Sequence, residues 1–244
     1  MAINIQNLTC RYSNKTLFED ISLSLKDHTT LLGANGSGKS SLARAICSLI
    51  EYEGNIFLDG VDLAKLTPRQ RAKELFYLPA KLDVYDSSLS VFEFVLLSRF
   101  AHKDAFFSYT SKDKALAREA LEKLSLTHLQ DHAVGSLSSG ESALVLLASA
   151  LCAQSKLLIL DEPTANLDPH NAKIIAQHIK ELKKERQIFL ITHDLHLACY
   201  IQSPLLFLKE GNFLQFEDPK KFFNDTTLQE LYGVEFQNMA VVYA

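Results

Sequence analysis

Apolar and polar residues alternate along residues 3–12 and 21–25, the period of strands with one face buried, and predict antiparallel pairing at the head of the chain. Residues 28–32 are more uniformly Thr/Leu-rich, as in a fully buried strand, and residues 41–49 switch to the helical spacing of apolar positions. Residues 54–60 read as a short strand closed by a turn. Thr67 is placed to cap a basic helix over 68–73, and residues 75–78 predict a buried strand stopped by Pro79. Over 83–154 the period is helical, with helices predicted over 91–99, 112–124 and 139–153. Strands return at 156–160, 187–192 and 205–209, with a helix over 169–185 between the first two. Strand, helix, strand is the order of a parallel sheet. The pattern predicts a single α/β domain across 1–244. Residues 1–82 and 155–244 form a parallel-sheet core with an N-terminal antiparallel β subdomain, and a helical subdomain is inserted at about 83–154.

Composition narrows the class without changing this architecture. Of 244 residues, 47% are hydrophobic and 22% charged, with a net charge of −4, the balance of an ordinary globular protein and unlike that of a polyanion binder. Nucleic acid is not expected as a partner. The longest apolar run, 143–153, is too short for a bilayer, and no basic then apolar segment opens the chain, so a cytoplasmic protein is expected. Cys10, Cys47, Cys152 and Cys199 are scattered and form no C-x-x-C pair, which predicts buried thiols.

Two stretches carry recognisable chemistry. Gly33-Ala34-Asn35-Gly36-Ser37-Gly38-Lys39-Ser40 fits the phosphate-binding pattern G-x-x-x-x-G-K-[ST], between a predicted strand and a helix beginning at Ser41. Its glycines permit backbone N–H groups to approach phosphate oxygens, which a Cβ would obstruct. Lys39 is placed to reach the β and γ oxygens of a nucleoside triphosphate and Ser40 to ligate Mg²⁺. Leu157-Leu158-Ile159-Leu160-Asp161-Glu162 is an apolar strand ending in two acids, at the sheet edge where phosphate loops also sit. Asp161 is placed to hold Mg²⁺ through its water shell and Glu162 to act as general base. The pairs His128/His132 and His193/His196 have spacings that could nominally bind a metal.

Leu137-Ser138-Ser139-Gly140-Glu141 precedes the predicted helix 139–153, with Ser138 or Ser139 as cap and Glu141 in its first turn. This stretch resembles the five-residue signature of ABC-type ATPases, and it lies between the phosphate loop and the acidic strand as that family requires. Tyr12 stands where the family places an aromatic against adenine. Ala165-Asn166-Leu167-Asp168 resembles its D-loop, and Thr192-His193-Asp194 supplies its switch histidine. The resemblance covers essentially the whole chain. It implies an ATP- and Mg²⁺-dependent hydrolase in which two domains, a second copy or a homologous ATPase, face head to tail. Ser138 to Glu141 of one would cap the γ-phosphate held by Gly33 to Ser41 of the other, with Asp168 beside it. Glu162 and His193 would carry hydrolysis.

Three positions depart from the family pattern. Ala80 stands where a glutamine normally senses Mg²⁺ and the transmembrane partner, Ala143-Leu144 replaces a polar pair, and Ser139 replaces the signature's second glycine. With Lys39, Asp161, Glu162 and His193 present, hydrolysis is expected to survive with altered or slow coupling; the alternative is a site that binds ATP and dimerises but turns over poorly. Ser90-Val91-Phe92-Glu93-Phe94-Val95-Leu96-Leu97-Ser98-Arg99-Phe100, Phe106-Phe107-Ser108-Tyr109 and Leu228-Gln229-Glu230-Leu231-Tyr232-Gly233-Val234 resemble the ATP-binding subunits of importers for iron chelates, haem and cobalamin. That implies integral-membrane permease subunits as partners, with a periplasmic or surface solute-binding protein in the same system and a location on the inner face of the membrane. Apolar exposure around 79–107 would suit a transmembrane coupling helix. The zinc or manganese importers share the architecture and form the nearest alternative, and a soluble ABC-type switch is the alternative of another class.

Overall fold

A computed structural model describes residues 2–12, 15–82, 86–103 and 108–233, apart from the side chains of Tyr12 and Lys15. Strands β1 (Ala2–Tyr12), β2 (Lys15–Lys26) and β3 (Thr29–Gly33) lead into helix α1 (Lys39–Ile46), followed by β4 (Glu53–Leu58) and β5 (Val61–Asp62). Helix α2 (Pro68–Glu74) opens with Thr67 and Gln70 in a reciprocal capping box, and β6 (Leu75–Leu78) follows directly. Helices α3 (Val91–Leu97), α4 (Ser111–Lys123) and α5 (Ser139–Ala153) each begin with the same device, at Ser90, Thr110 and Ser138. The described residues continue with β7 (Leu157–Asp161), α6 (Pro169–Leu182), β8 (Gln187–Ile191), α7 (Leu195–Ile201), β9 (Leu205–Lys209), β10 (Asn212–Phe216), α8 (Pro219–Phe222) and α9 (Asp225–Tyr232).

The strands form two sheets. One has order β2-β1-β4-β5 and is antiparallel; the other has order β10-β9-β3-β8-β7-β6 and is parallel except at β10, which pairs antiparallel with β9. Side chains of a strand alternate between faces, and the parallel sheet divides its residues accordingly. Leu157, Ile159, Phe189 and Ile191 pack with α1 and the antiparallel sheet. Leu158, Leu160, Ile188 and Leu190 pack with α3 to α6. Leu205 and Phe207 meet Phe222 and Leu228 of the terminal helices. Within the helical block, buried Arg99 donates from Nε to Asp113 Oδ1 at 3.0 Å and from Nη1 to the Cys152 and Ala153 carbonyls, each at 3.1 Å, so one guanidinium joins α3, α4 and the end of α5.

Some boundaries depart from expectation. The phosphate-loop helix runs Lys39–Ile46 rather than 41–49, because Ser48 turns the chain at φ 50° and leaves Leu49 61% exposed. Helices α3 and α6 stop at Leu97 and Leu182, short of the predicted 99 and 185. Cys10, Cys47 and Cys152 are buried as expected, whereas Cys199 is half-buried. Among the described residues no helix is long and apolar enough to cross a membrane.

Candidate active site

Strand β3 is buried throughout and ends on Gly33, where an added Cβ would lie 2.5 Å from the Leu208 carbonyl oxygen of β9. The chain therefore leaves the sheet through a gap that admits no side chain. Gly36 and Gly38 take φ 76° and 107°, and Gly38 caps α1 without any side-chain hydrogen bond, leaving first-turn amides for an anion. Ser37 Oγ is buried in the loop with no protein partner. An orphaned hydroxyl beside uncapped amides is the chemistry of a phosphate cradle. Lys39 is itself buried, and its Nζ turns back to donate to the carbonyls of Gly33 at 2.9 Å and Ala34 at 3.0 Å. Burial lowers its pKa, while the carboxylates of Glu162 and Asp161 act in the opposite direction.

Across the loop, β7 ends on Asp161, which is 3% exposed and engaged at both oxygens. Oδ1 accepts from Ser40 Oγ at 3.1 Å and Oδ2 from Tyr77 Oη at 2.7 Å. Burial first, and then the hydrogen bond to Asp161, push the Tyr77 hydroxyl up to about 12. Glu162 adopts φ 51°, an uncommon conformation for a residue with a Cβ, and its N–H is held by the Ile191 carbonyl at 2.8 Å. This turn carries its carboxylate out of the strand to His193, which follows β8 and has a 53% exposed side chain.

The sequence candidates separate into two sets. Asn35, Gly36, Gly38, Lys39, Ser40 and Ser41 share a cleft of about 540 Å³ with Glu162 and His193; Gly33, Ala34 and Ser37 complete the loop. The side chain of Tyr12 lies outside the described residues. Ser138, Ser139, Gly140, Glu141 and Asp168 do not border this cleft. Ser138 accepts from the Glu141 N–H while the Glu141 carboxylate accepts from the Ser138 N–H at 2.8 Å and hydroxyl at 2.7 Å, which holds the Glu141 pKa down. Asp168 caps α6, accepting from the His170 and Asn171 N–H groups and from Asn171 Nδ2. Gly140 sits against that Asn171, whose Cγ would lie 2.6 Å from an added Cβ.

Two findings lie beyond the sequence reading. Ala80, Ser139 and Ala143, one residue from each of the three departures, line the same cavity of about 230 Å³, and Ala80 also borders the nucleotide-sized cleft. Leu17, Arg44 and Tyr77 join the site's surroundings without a signal in the motifs, and Ala165 of the D-loop-like stretch borders the cleft as well. Arg44 follows Ser40 by one helical turn, so its spacing was a usable signal; Tyr77 was hidden in an apolar strand. The spacing of His128/His132 and His193/His196 has no metal-holding counterpart: among the described residues no group of three or more His, Cys, Asp or Glu side chains could hold an ion.

Comparison with known proteins agrees with this geometry. The ABC transporter family matches residues 18–165. A protein of Helicobacter pylori strain 26695, whose name assigns it to iron chelatin transport as an ATP-binding protein, is 32% identical over the full length of both chains. The ferric enterobactin transport ATP-binding protein FepC of Escherichia coli K12 is 28% identical, covering 94% of this chain and 86% of its own. Among solved structures, a chain of a transporter assigned to the metal-chelate type, in an inward-facing conformation, superposes with a TM-score of 0.82 at 27% identity, covering 96% of this chain and 90% of that one. On the match to its family and the full-length relatives, the chain belongs to the ABC transporter family.

Proposed function

We propose that this chain is the ATP-hydrolysing subunit of a membrane importer for an iron chelate, and that two such domains close head to tail over ATP. The observation that carries the reading is the cleft in which the loop from Asn35 to Ser41 faces the hydrogen-bonded Glu162–His193 pair. The iron-chelate assignment rests on the names of the full-length relatives.

In this reading the uncapped start of α1 and Lys39 hold the triphosphate, and Glu162 accepts the proton of the attacking water. His193 fixes the Glu162 carboxylate and faces the γ-phosphate. Ser40 and Asp161 fit Mg²⁺, since a hydroxyl and a carboxylate 3.1 Å apart are hard oxygen donors. When bound there, the ion would neutralise charge on the phosphates. Ser138 to Glu141 and Asp168, being off the cleft of their own chain, would serve the facing one, with the Ser139 and Gly140 amides at the α5 N-terminus as the anion cap.

The permease face would be an apolar groove of about 720 Å³ whose rim carries Leu49, Leu97 and the 69% exposed Phe100. This groove lies partly within the expected 79–107 stretch; Pro79 borders the 230 Å³ cavity instead, and Phe106 and Phe107 fall outside the described residues. The protein would thus sit peripherally on the inner face of the membrane, supplied through a solute-binding protein. Purification with co-expressed permease subunits, followed by Mg-ATPase and ferric-chelate uptake assays, tests the reading. Uptake that requires this chain and ceases in Glu162→Gln supports it, whereas uptake indifferent to both would refute it.

A further inference from the structure

Tyr77 borders two different parts of the molecule. It lines the apolar groove alongside Leu97 and Phe100. Its Oη lies 2.7 Å from Asp161 Oδ2, while Oδ1 of the same buried carboxylate accepts from Ser40. Asp161 is therefore clamped by one donor from the phosphate-loop helix and another from a strand whose side chain walls the groove. Position 80, three residues on, offers only a methyl group, so no side-chain hydrogen bond to the nucleotide cleft can originate there.

We propose that Tyr77 is a positioning residue that orients Asp161 toward the divalent cation and makes that orientation sensitive to what occupies the groove. The inference rests on the reading of Ser40 and Asp161 as the Mg²⁺ site and of the groove as the permease's docking face. A helix inserted in the groove bears on the Tyr77 ring, and a small tilt of a rigid phenol moves its hydroxyl relative to Oδ2. A charge-assisted hydrogen bond is steep in distance and angle, so a slight displacement changes how firmly the carboxylate is held.

The test is a Mn²⁺ titration in the presence of ATP, read by the electron paramagnetic resonance of free Mn²⁺, with Glu162→Gln as background to prevent turnover. Tyr77→Phe keeps the ring and removes the hydroxyl. It is expected to raise the Mn²⁺ concentration at half-saturation about tenfold or more, the size of one lost hydrogen bond to a charged group, while ATP binding without metal changes less than about twofold. Adding the co-purified permease is expected to shift half-saturation for the Tyr77 protein and not for Tyr77→Phe. Phe100→Asp, at an exposed position in the groove, provides a variant independent of the hydroxyl: it should abolish the permease-induced shift. A Tyr77→Phe titration superimposable on that of the parent, or a permease shift that persists in it, overturns the proposal. Lys39→Ala separates this from the underlying reading, because undiminished ATP binding in that variant would overturn the nucleotide site itself.

Discussion

His193 Nδ1 lies 2.8 Å from Glu162 Oε2, and the same oxygen accepts the His193 backbone N–H at 3.2 Å. One carboxylate oxygen thus meets both the imidazole and the backbone N–H of a single residue, and the proposed role as general base falls to this carboxylate. Glu162→Gln should cut Mg-ATP turnover by at least about a hundredfold, the usual worth of a general base, with ATP binding retained. His193→Ala should lower kcat more than it raises KM. Steady-state ATPase assays with parallel nucleotide-binding measurements check both.

Arg99 ties together the helices around the segment from Ser138 to Glu141. Arg99→Ala would leave Asp113 buried with its main cationic partner gone and free the carbonyls at the end of α5. A loss of about 3 kcal/mol or more is expected from breaking a buried pair, seen as a lower urea midpoint. Arg99→Lys should recover only part of it, since an ammonium cannot reproduce the forked geometry.

Gly33→Ala should harm both fold and site. Its methyl would meet the Leu208 carbonyl at 2.5 Å, a backbone atom that moves only if β9 moves. A cost of about 1–3 kcal/mol is expected for such overpacking, together with weaker ATP binding. Gly36→Ala provides the contrast: nothing lies within 4 Å of its added Cβ, so only the left-handed backbone opposes it. Thermal melts with and without ATP distinguish the two.

Acid should destabilise the protein before its carboxylates titrate. Burial holds the pKa values of His28, His102 and His178 below the usual imidazole value; at His28 the Lys183 charge adds to this and Asp27 opposes it. The folded state therefore prefers neutral imidazoles, and His28 Nδ1 uses its lone pair to accept the Ile188 N–H at 3.2 Å. Because the unfolded chain binds more protons here, this contribution is complete above about pH 6.5 and is lost as pH falls through the folded values. The Tm should drop between pH 7 and 5, and His28→Gln, which cannot titrate, should shallow that slope.

The phosphate loop and the acidic strand were legible because each is a contiguous run whose neighbours on the chain are also its neighbours in space. The start of α5 was legible for the same reason: Ser138 and Glu141 complete their capping box within one turn. Other elements were less visible. Among the described residues strand β10 pairs with β9 alone, and most of its residues are exposed, so no apolar alternation marks it. Helices α7 and α8 follow Asp194 and Asp218 caps but are too short to display a period. Tyr77 and Asp161 are 84 residues apart, and only parallel pairing of β6 with β7 brings their strands together. Ser138 to Glu141 lie off the cleft of their own chain, as the proposed head-to-tail pairing requires.

The contact between Gly140 and Asn171 has a consequence for how this sequence can change over generations. The amide group of Asn171 occupies the space that any side chain at 140 would need, and that same amide is tied to Asp168. A side chain at 140 therefore requires the Asn171 amide to swing aside or 171 to shrink, and either change gives up the hydrogen bond to Asp168 and loosens the cap on α6. Positions 140, 168 and 171 form one heritable unit, and relatives that vary at any one of them should carry a matching change at another.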